Sequence, residues 1–195
     1  MAIYEKDIKR LLAHSSVAQI GYITLAFAIG TKASIAAGFI HMFNHAIIKG
    51  GLFIAITSLG FFIQKRVTIN NLSGLGRAMP ITFFCFVLCS LSLAGLPLTA
   101  GFISKLYLIK ATISSDAIWI AILILISSAL SVVYLWKMIE VMWMREGRKI
   151  VIKENPTIYM SLIIITFFNI YFGLDASLVV NGSFEAAEKL IGDLK

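Results

Sequence analysis

Residues 117–136, AIWIAILILISSALSVVYLW, run for twenty residues without a charged side chain. Roughly 20 apolar residues in a helix cross about 30 Å of hydrocarbon, and only helices or closed barrels satisfy their own backbone there. Comparable stretches follow one another along the chain, at 11–30, 33–62, 81–95, 96–113, 117–143 and 157–173. Hydrophobic residues make up 59% of the chain and charged ones 14%, against about half and a quarter in water-soluble domains. The expected fold is therefore all-α, a polytopic transmembrane bundle of about six spans in the cell membrane. It occupies residues 1–176 as one domain, and FEAAEKLIGDLK at the end reads as an amphipathic tail over 177–195. The net charge of +7 fits basic loops that meet lipid headgroups, and nucleic acid is not an expected partner. The start, MAIYEKDIKR, does not read as a secretory signal, which would open with a basic stretch and then an apolar one.

Two spans depart from a plain apolar helix. The stretch 33–62 is too long to stand upright, so it is expected to tilt, bend or break near Gly50 and Gly51. In 96–113, Pro97, Thr99, Gly101 and Ser104 surround Lys105, the pattern of an interrupted helix that is tolerated only against protein or a wet cavity. The polar connector 67–80 closes on Pro80, which suits a helix start. Cys85 and Cys89, four apart in an apolar run, read as packing residues. No Cys cluster, haem motif or nucleotide loop is present, so no metal, redox or other cofactor is expected on this chain. The positive-inside rule returns a near tie, with Lys6, Lys9, Arg10, Lys65, Arg66 and Arg77 on one side and Lys32, Arg145, Arg148, Lys149 and Lys153 on the other; the densest cluster, 145–153, tips that loop toward the cytoplasm. Glu140 is expected to pair locally with Lys137.

Charge inside the apolar runs is costly, about 3 kcal/mol per group at mid-span on insertion scales, so such residues face a bundle interior. The stretch HMFNHAIIKGGLF, 41–53, spaces His41, His45 and Lys49 four apart. Steps of four drift about 40° around a helix and climb about 6 Å, so the three side chains form one stripe. Imidazole accepts a proton on one nitrogen while releasing one from the other. A lysine held away from water can cycle between charged and neutral forms where a surface lysine stays charged. The stripe therefore reads as a water-linked proton path. A plainer alternative makes the histidines packing residues and pairs Lys49 with one acid; three groups on one stripe favour the path. Lys105 is either a second ion-handling group beside a broken helix or an interfacial residue near Pro97. Lys9, with His14, Ser15 and Gln19 on the following turns, forms either a polar mouth to the path or, for Lys9, a headgroup contact.

DIKRLLAHSSVAQIGY (7–22), FIHMFNHAIIKGGLF (39–53), SGLGRAMP (73–80) and SLAGLPLTAGFISK (92–105) resemble, in this order, the antiporter-like subunits. That family comprises proton-pumping membrane subunits of respiratory complex I, of membrane-bound hydrogenases and of multisubunit cation/proton antiporters. The late segment 167–192 is most similar to D-type subunits of the Mrp antiporters. The resemblance implies that Lys49 is the central proton carrier and that His41 and His45 link it along the membrane. It implies that Lys105 leads toward an exit and that Lys9 matches the lysine of the DxKR motif. It further implies two inverted five-helix repeats, of which this chain resembles the second plus one helix. His14 stands where tyrosine is usual and Gly50 where alanine is common. A first repeat with its glutamate–lysine pair is lacking, so the chain is expected to be a fragment or half of a split subunit. The expected function is a membrane subunit of a monovalent cation (Na⁺)/proton antiporter, partnered by other membrane subunits, lipid, protons and the cation. Alternatives are a proton-pumping subunit of complex I or a hydrogenase, driven by electron transfer elsewhere, and a truncated remnant that only packs.

Overall fold

The computed structural model describes residues 4–61, 63, 67–146 and 156–193. Lys65, Arg66, Arg148, Lys149 and Lys153, and with them most of the 145–153 cluster, lie outside the described residues. The described chain is helical, with a single isolated bridge between Asp7 and Thr68.

Helix α1, Ile8–Ile29, begins where the Asp7 carboxylate accepts from the amides of Lys9 (3.0 Å) and Arg10 (3.2 Å), two donors that have no partner inside the helix. It ends at Gly30, whose φ of 74° turns the chain straight into α2, Lys32–Phe61. Asp7→Ala is expected to cost about 1 kcal/mol of stability through the lost cap, read as a lower melting temperature in detergent. The two helices pack antiparallel: Leu12 meets Lys49 at one end and Ala26 meets Gly38 near the other.

Helix α2 is unbroken over 30 residues, about 45 Å, and runs through Gly50 and Gly51 without a break. Gly51 serves approach instead: a Cβ there would stand 2.6 Å from Cys89 Sγ of a neighbouring helix, whereas nothing lies within 4 Å of a Cβ on Gly50. Ala36, Ala37 and Gly38 are buried at the other end, where small residues let neighbours come close. Helix α2 is the post around which α1, α4, α5, α7 and α8 assemble.

A 3₁₀ turn, Ile69–Leu72, and the single-turn helix α3, Leu75–Ala78, lie across one end of the bundle. They are tied down by Ile69 N–H to Lys6 O (3.0 Å) and by Arg77, which donates to the carbonyls of Trp143 (2.6 Å) and Met144 (3.1 Å). The chain then bends by 118° into α4, Pro80–Ala94, with proline in the first turn as its sequence suggests. Helix α5, Ala100–Ser114, follows after five residues.

Helices α4 and α5 have 15 residues each, about 22 Å, too short to cross alone. Both run antiparallel to α2. Cys89 of α4 meets Gly51, Asn44 of α2 donates to Ala100 O at the start of α5, and Ala37 packs with Leu108 and Ala111. The stretches 81–95 and 96–113 are therefore two halves of one crossing, interrupted at 95–99. Helix α6, Ile118–Trp143, runs back beside both halves. Its outer face, including Ile122, Leu125, Ile126, Val133 and Trp136, is exposed and apolar. Among the described residues Glu140 faces Arg145, two residues past the helix end at Trp143, at 4.0 Å rather than forming an ion pair with Lys137.

Helix α7, Pro156–Leu174, packs through Thr166 and Asn169 on α4 and through Gly173 on the interruption. Helix α8, Ser177–Asp193, presents Val179, Ser183 and Ala187 inward and Glu185, Glu188 and Lys189 outward. Lys32 and Glu188 meet at 2.8 Å, and the hydrogen bond and charge of Lys32 hold the Glu188 carboxyl below its usual range. Both groups are exposed, so the docking of α8 rests on its small apolar stripe against Ile35 and Ala36. Helices α1, α2, α6 and α7 are each long and apolar enough to cross a membrane, and the bent pair Ile69–Ala78 with Pro80–Ala94 passes the same test together; α4 and α5, following each other along α2, read as one interrupted crossing. The fold is an all-α, multi-pass membrane bundle.

Candidate functional site

The α2 stripe faces the bundle interior. Lys49 is 6% exposed, and its ammonium donates to Leu12 O at 2.8 Å and to Ser15 Oγ, both on α1. Leu12 O also receives the hydroxyls of Ser15 (2.8 Å) and Ser16 (3.1 Å), which makes a neutral cradle around the amine. Among the described residues the ion pairs are His14–Glu5, Lys32–Glu188 and Arg145–Glu140, so Lys49 has no static acidic partner there.

Four residues back, the rings of His45 and His41 stack with centroids 6.2 Å apart and planes 18° apart. The climb of one helical turn sets that spacing. His41 is 3% exposed, and its Nδ1 lies 3.0 Å from Ser104 Oγ on α5. Ser104 also donates to Gly101 O at 3.1 Å, which assigns the donor role to Nδ1 of His41. Nε2 of His41 and Nδ1 of His45 are enclosed and have no hydrogen-bond partner among the described residues.

Lys105 lies one residue beyond Ser104. Its ammonium donates to Leu93 O (2.7 Å), Ala94 O (3.0 Å) and Ser128 Oγ of α6. Those carbonyls are free because α4 ends there, and they carry the negative end of its dipole. Gly95, with φ 91°, turns the chain away, and a Cβ there would stand 3.0 Å from Lys105 Cδ. Lys105 is therefore buried against protein at the interruption, 6% exposed. Thr99 Oγ1 donates to Leu96 O (2.6 Å), Ser92 Oγ accepts from Gly101 N–H (3.1 Å) and donates to Asn169 Oδ1 (2.7 Å), and Pro97 is exposed in the connecting loop. These bonds satisfy broken-helix backbone that lipid would leave unpaired.

Lys49, His45, His41, Ser104 and Lys105 thus share one interior. Gly101 places Ser104 by letting α5 touch Ser92, and Gln19 is buried on the same face of α1 as Ser15. Lys9 and His14 lie elsewhere: both are exposed, and His14 faces Glu5 at 3.9 Å. The sequence reading passed over Tyr22 and Tyr134. Tyr22 packs its ring 5.7 Å from His41, and Tyr134 of α6 is buried beside Ser15. The signal was available as i, i+4, i+7 spacing, Ser15–Gln19–Tyr22 on α1 and Ser127–Ser131–Tyr134 on α6. What faces those stripes is a tertiary fact.

The family model described as NADH:quinone oxidoreductase/Mrp antiporter, TM matches residues 1–131. An NADH-quinone oxidoreductase subunit N from Desulforudis audaxviator is 39% identical over 141 residues, 72% of this chain and 28% of the relative. Among solved structures, a chain of the membrane-bound sulfane sulfur reductase, an archaeal respiratory membrane complex, superposes with TM-score 0.88 at 31% identity over 96% of this chain and 38% of its own length. A chain of the Mrp complex from Dietzia sp. DQ12-45-1b gives TM-score 0.87 at 22% identity, over 95% of this chain and 43% of its own, a likeness of fold. The chain thus spans less than half the length of the proteins it matches. With its whole interior stripe inside the matched residues, it belongs to the NADH:quinone oxidoreductase/Mrp antiporter transmembrane family.

Proposed function

We propose that this bundle conducts protons along Lys49, His45, His41, Ser104 and Lys105 as a membrane subunit of a redox-driven, proton-pumping complex. The observation that carries the reading is that two buried lysines, each held by neutral oxygens, stand at the two ends of a histidine pair with open ring nitrogens. A proton leaving the Lys49 ammonium is taken up by a neutral imidazole, which releases one from its other nitrogen. His41 passes it through the Ser104 hydroxyl to the neighbouring Lys105 amine at the interruption. Water links the wider gaps. Other membrane subunits supply the rest of the path and the driving step, and the chain itself is a non-redox subunit.

The redox-driven reading is favoured over sodium/proton antiport because the relative at 39% identity and the solved structure at 31% are respiratory subunits. The likeness to the Mrp complex supports the fold common to both. In vesicles carrying the assembled complex, a pH-sensitive dye should report proton uptake driven by electron donor, unchanged when sodium is replaced by choline. Uptake that requires sodium and ignores the electron donor would make the antiporter reading the better one. In the same assay Lys105→Met should lower uptake by about 10²-fold or more, the worth of a positioned proton carrier. Near-normal uptake would remove Lys105 from the path.

A further inference from the structure

The histidines are not the only protic groups between the two lysines. Helices α1 and α6 run antiparallel, and each offers a polar stripe to the interior. Ser15 and Tyr22 are seven residues apart on α1, and Tyr134 and Ser127 are seven apart on α6. Seven residues are two turns, about 10 Å, so the stripes stay in register. At one end the buried Tyr134 lies beside Ser15, which accepts from Lys49 and donates to Leu12 O. At the other, the buried Tyr22 hydroxyl interacts with Ser127 without forming a hydrogen bond, and Ser128, next in the chain, holds Lys105. Gln19 and Ser131, 3% and 2% exposed, lie between on the same two faces.

We propose that Ser15, Tyr134, Tyr22 and the Ser127–Ser128 pair form a second, hydroxyl-lined branch that carries protons between Lys49 and Lys105 in parallel with His45 and His41. This rests on the reading of the bundle as a proton path. Each hydroxyl takes a proton on a lone pair as it releases its own, so none changes its net protonation. The Ser15 hydroxyl, now on Leu12 O, turns toward Tyr134 to pass the proton, and water bridges the two tyrosines. The Tyr22 ring beside His41 gives the branches a crossing point.

The test uses the assembled complex in vesicles, with assembly followed on native gels. His41→Gln with His45→Gln should leave roughly a tenth of the parental proton uptake, a smaller loss than that of a sole carrier. Adding Tyr22→Phe and Tyr134→Phe, which keep the rings and remove only the hydroxyls, should remove that residue by a further tenfold or more. With Tyr22 kept, Tyr134→Phe alone should remove it as well, and Tyr134→His, a different proton carrier, should restore it. A residue that survives the tyrosine changes, or one that Tyr134→His fails to restore, overturns the branch. So does a complete loss of uptake from the histidine changes alone. Lys49→Ala separates this from the underlying reading: if it abolishes uptake while the tyrosine changes do nothing, the branch falls and the lysine path stands.

Discussion

Lys49→Ala is expected to abolish proton translocation, by at least about 10²-fold in a dye assay on the assembled complex, while insertion and assembly stay intact. Both halves of that expectation come from the cradle. Leu12 O keeps the Ser15 and Ser16 hydroxyls when the amine is gone, so no backbone acceptor is orphaned. The substitution also removes a buried charge that is costly to place in a span. The fold therefore has little to lose, and the path loses the group from which the proton starts. Lys49→Arg should fail nearly as badly. Guanidinium does not release its proton, and its planar fork does not fit a site shaped for one small ammonium between Leu12 O and Ser15 Oγ. Full uptake by Lys49→Arg would mean that a fixed positive charge suffices, and a titrating lysine would no longer be needed.

Gly101→Ala should be the most damaging small substitution outside the stripe. A Cβ at Gly101 would lie 1.9 Å from Ser92 O and 3.0 Å from Ser92 Oγ, in the last turn of α4. Neither helix can absorb that by turning a side chain, because the clash is with backbone. The start of α5 must retreat, breaking the bond from Gly101 N–H to Ser92 Oγ and pulling Ser104 off His41 and Lys105 off Leu93 O and Ala94 O. Overpacking of this kind, with a lost buried hydrogen bond, costs about 3 kcal/mol. Thermal unfolding in detergent should show the loss, and proton uptake should fall with it. Gly182→Ala is the control: nothing lies within 4 Å of its Cβ position on α8, so it should be neutral or slightly stabilising. A Gly101→Ala protein that melts with the parent would mean that the interruption tolerates rearrangement.

The helices on either side of Gly30 and the stripe of His41, His45 and Lys49 were legible in the chain because each depends on spacing along a single helix. A twenty-residue apolar run fixes a crossing, and a step of four fixes a shared face. The two 15-residue helices were legible as helices but not as one crossing. Whether α5 turns back or continues from α4 depends on what each packs against, and Cys89 on Gly51 with Asn44 on Ala100 settles that. Gly50 and Gly51 carried the same ambiguity: a glycine pair permits a break or a close approach, and Cys89 against Gly51 chose approach for one of the two.

By itself, then, the sequence determined an all-α membrane bundle with titratable groups turned inward, since lipid leaves no other way to satisfy backbone and charge. Only the tertiary structure decided what the two lysines touch. Leu12 O and Ser15 come to Lys49 from 34 to 37 residues away, and Ser128 comes to Lys105 from 23 away. Such partners carry no periodic mark in the chain. They follow from how α1 packs on α2 and how α6 packs on α4 and α5, and that packing surrounds two expensive charges with neutral oxygens.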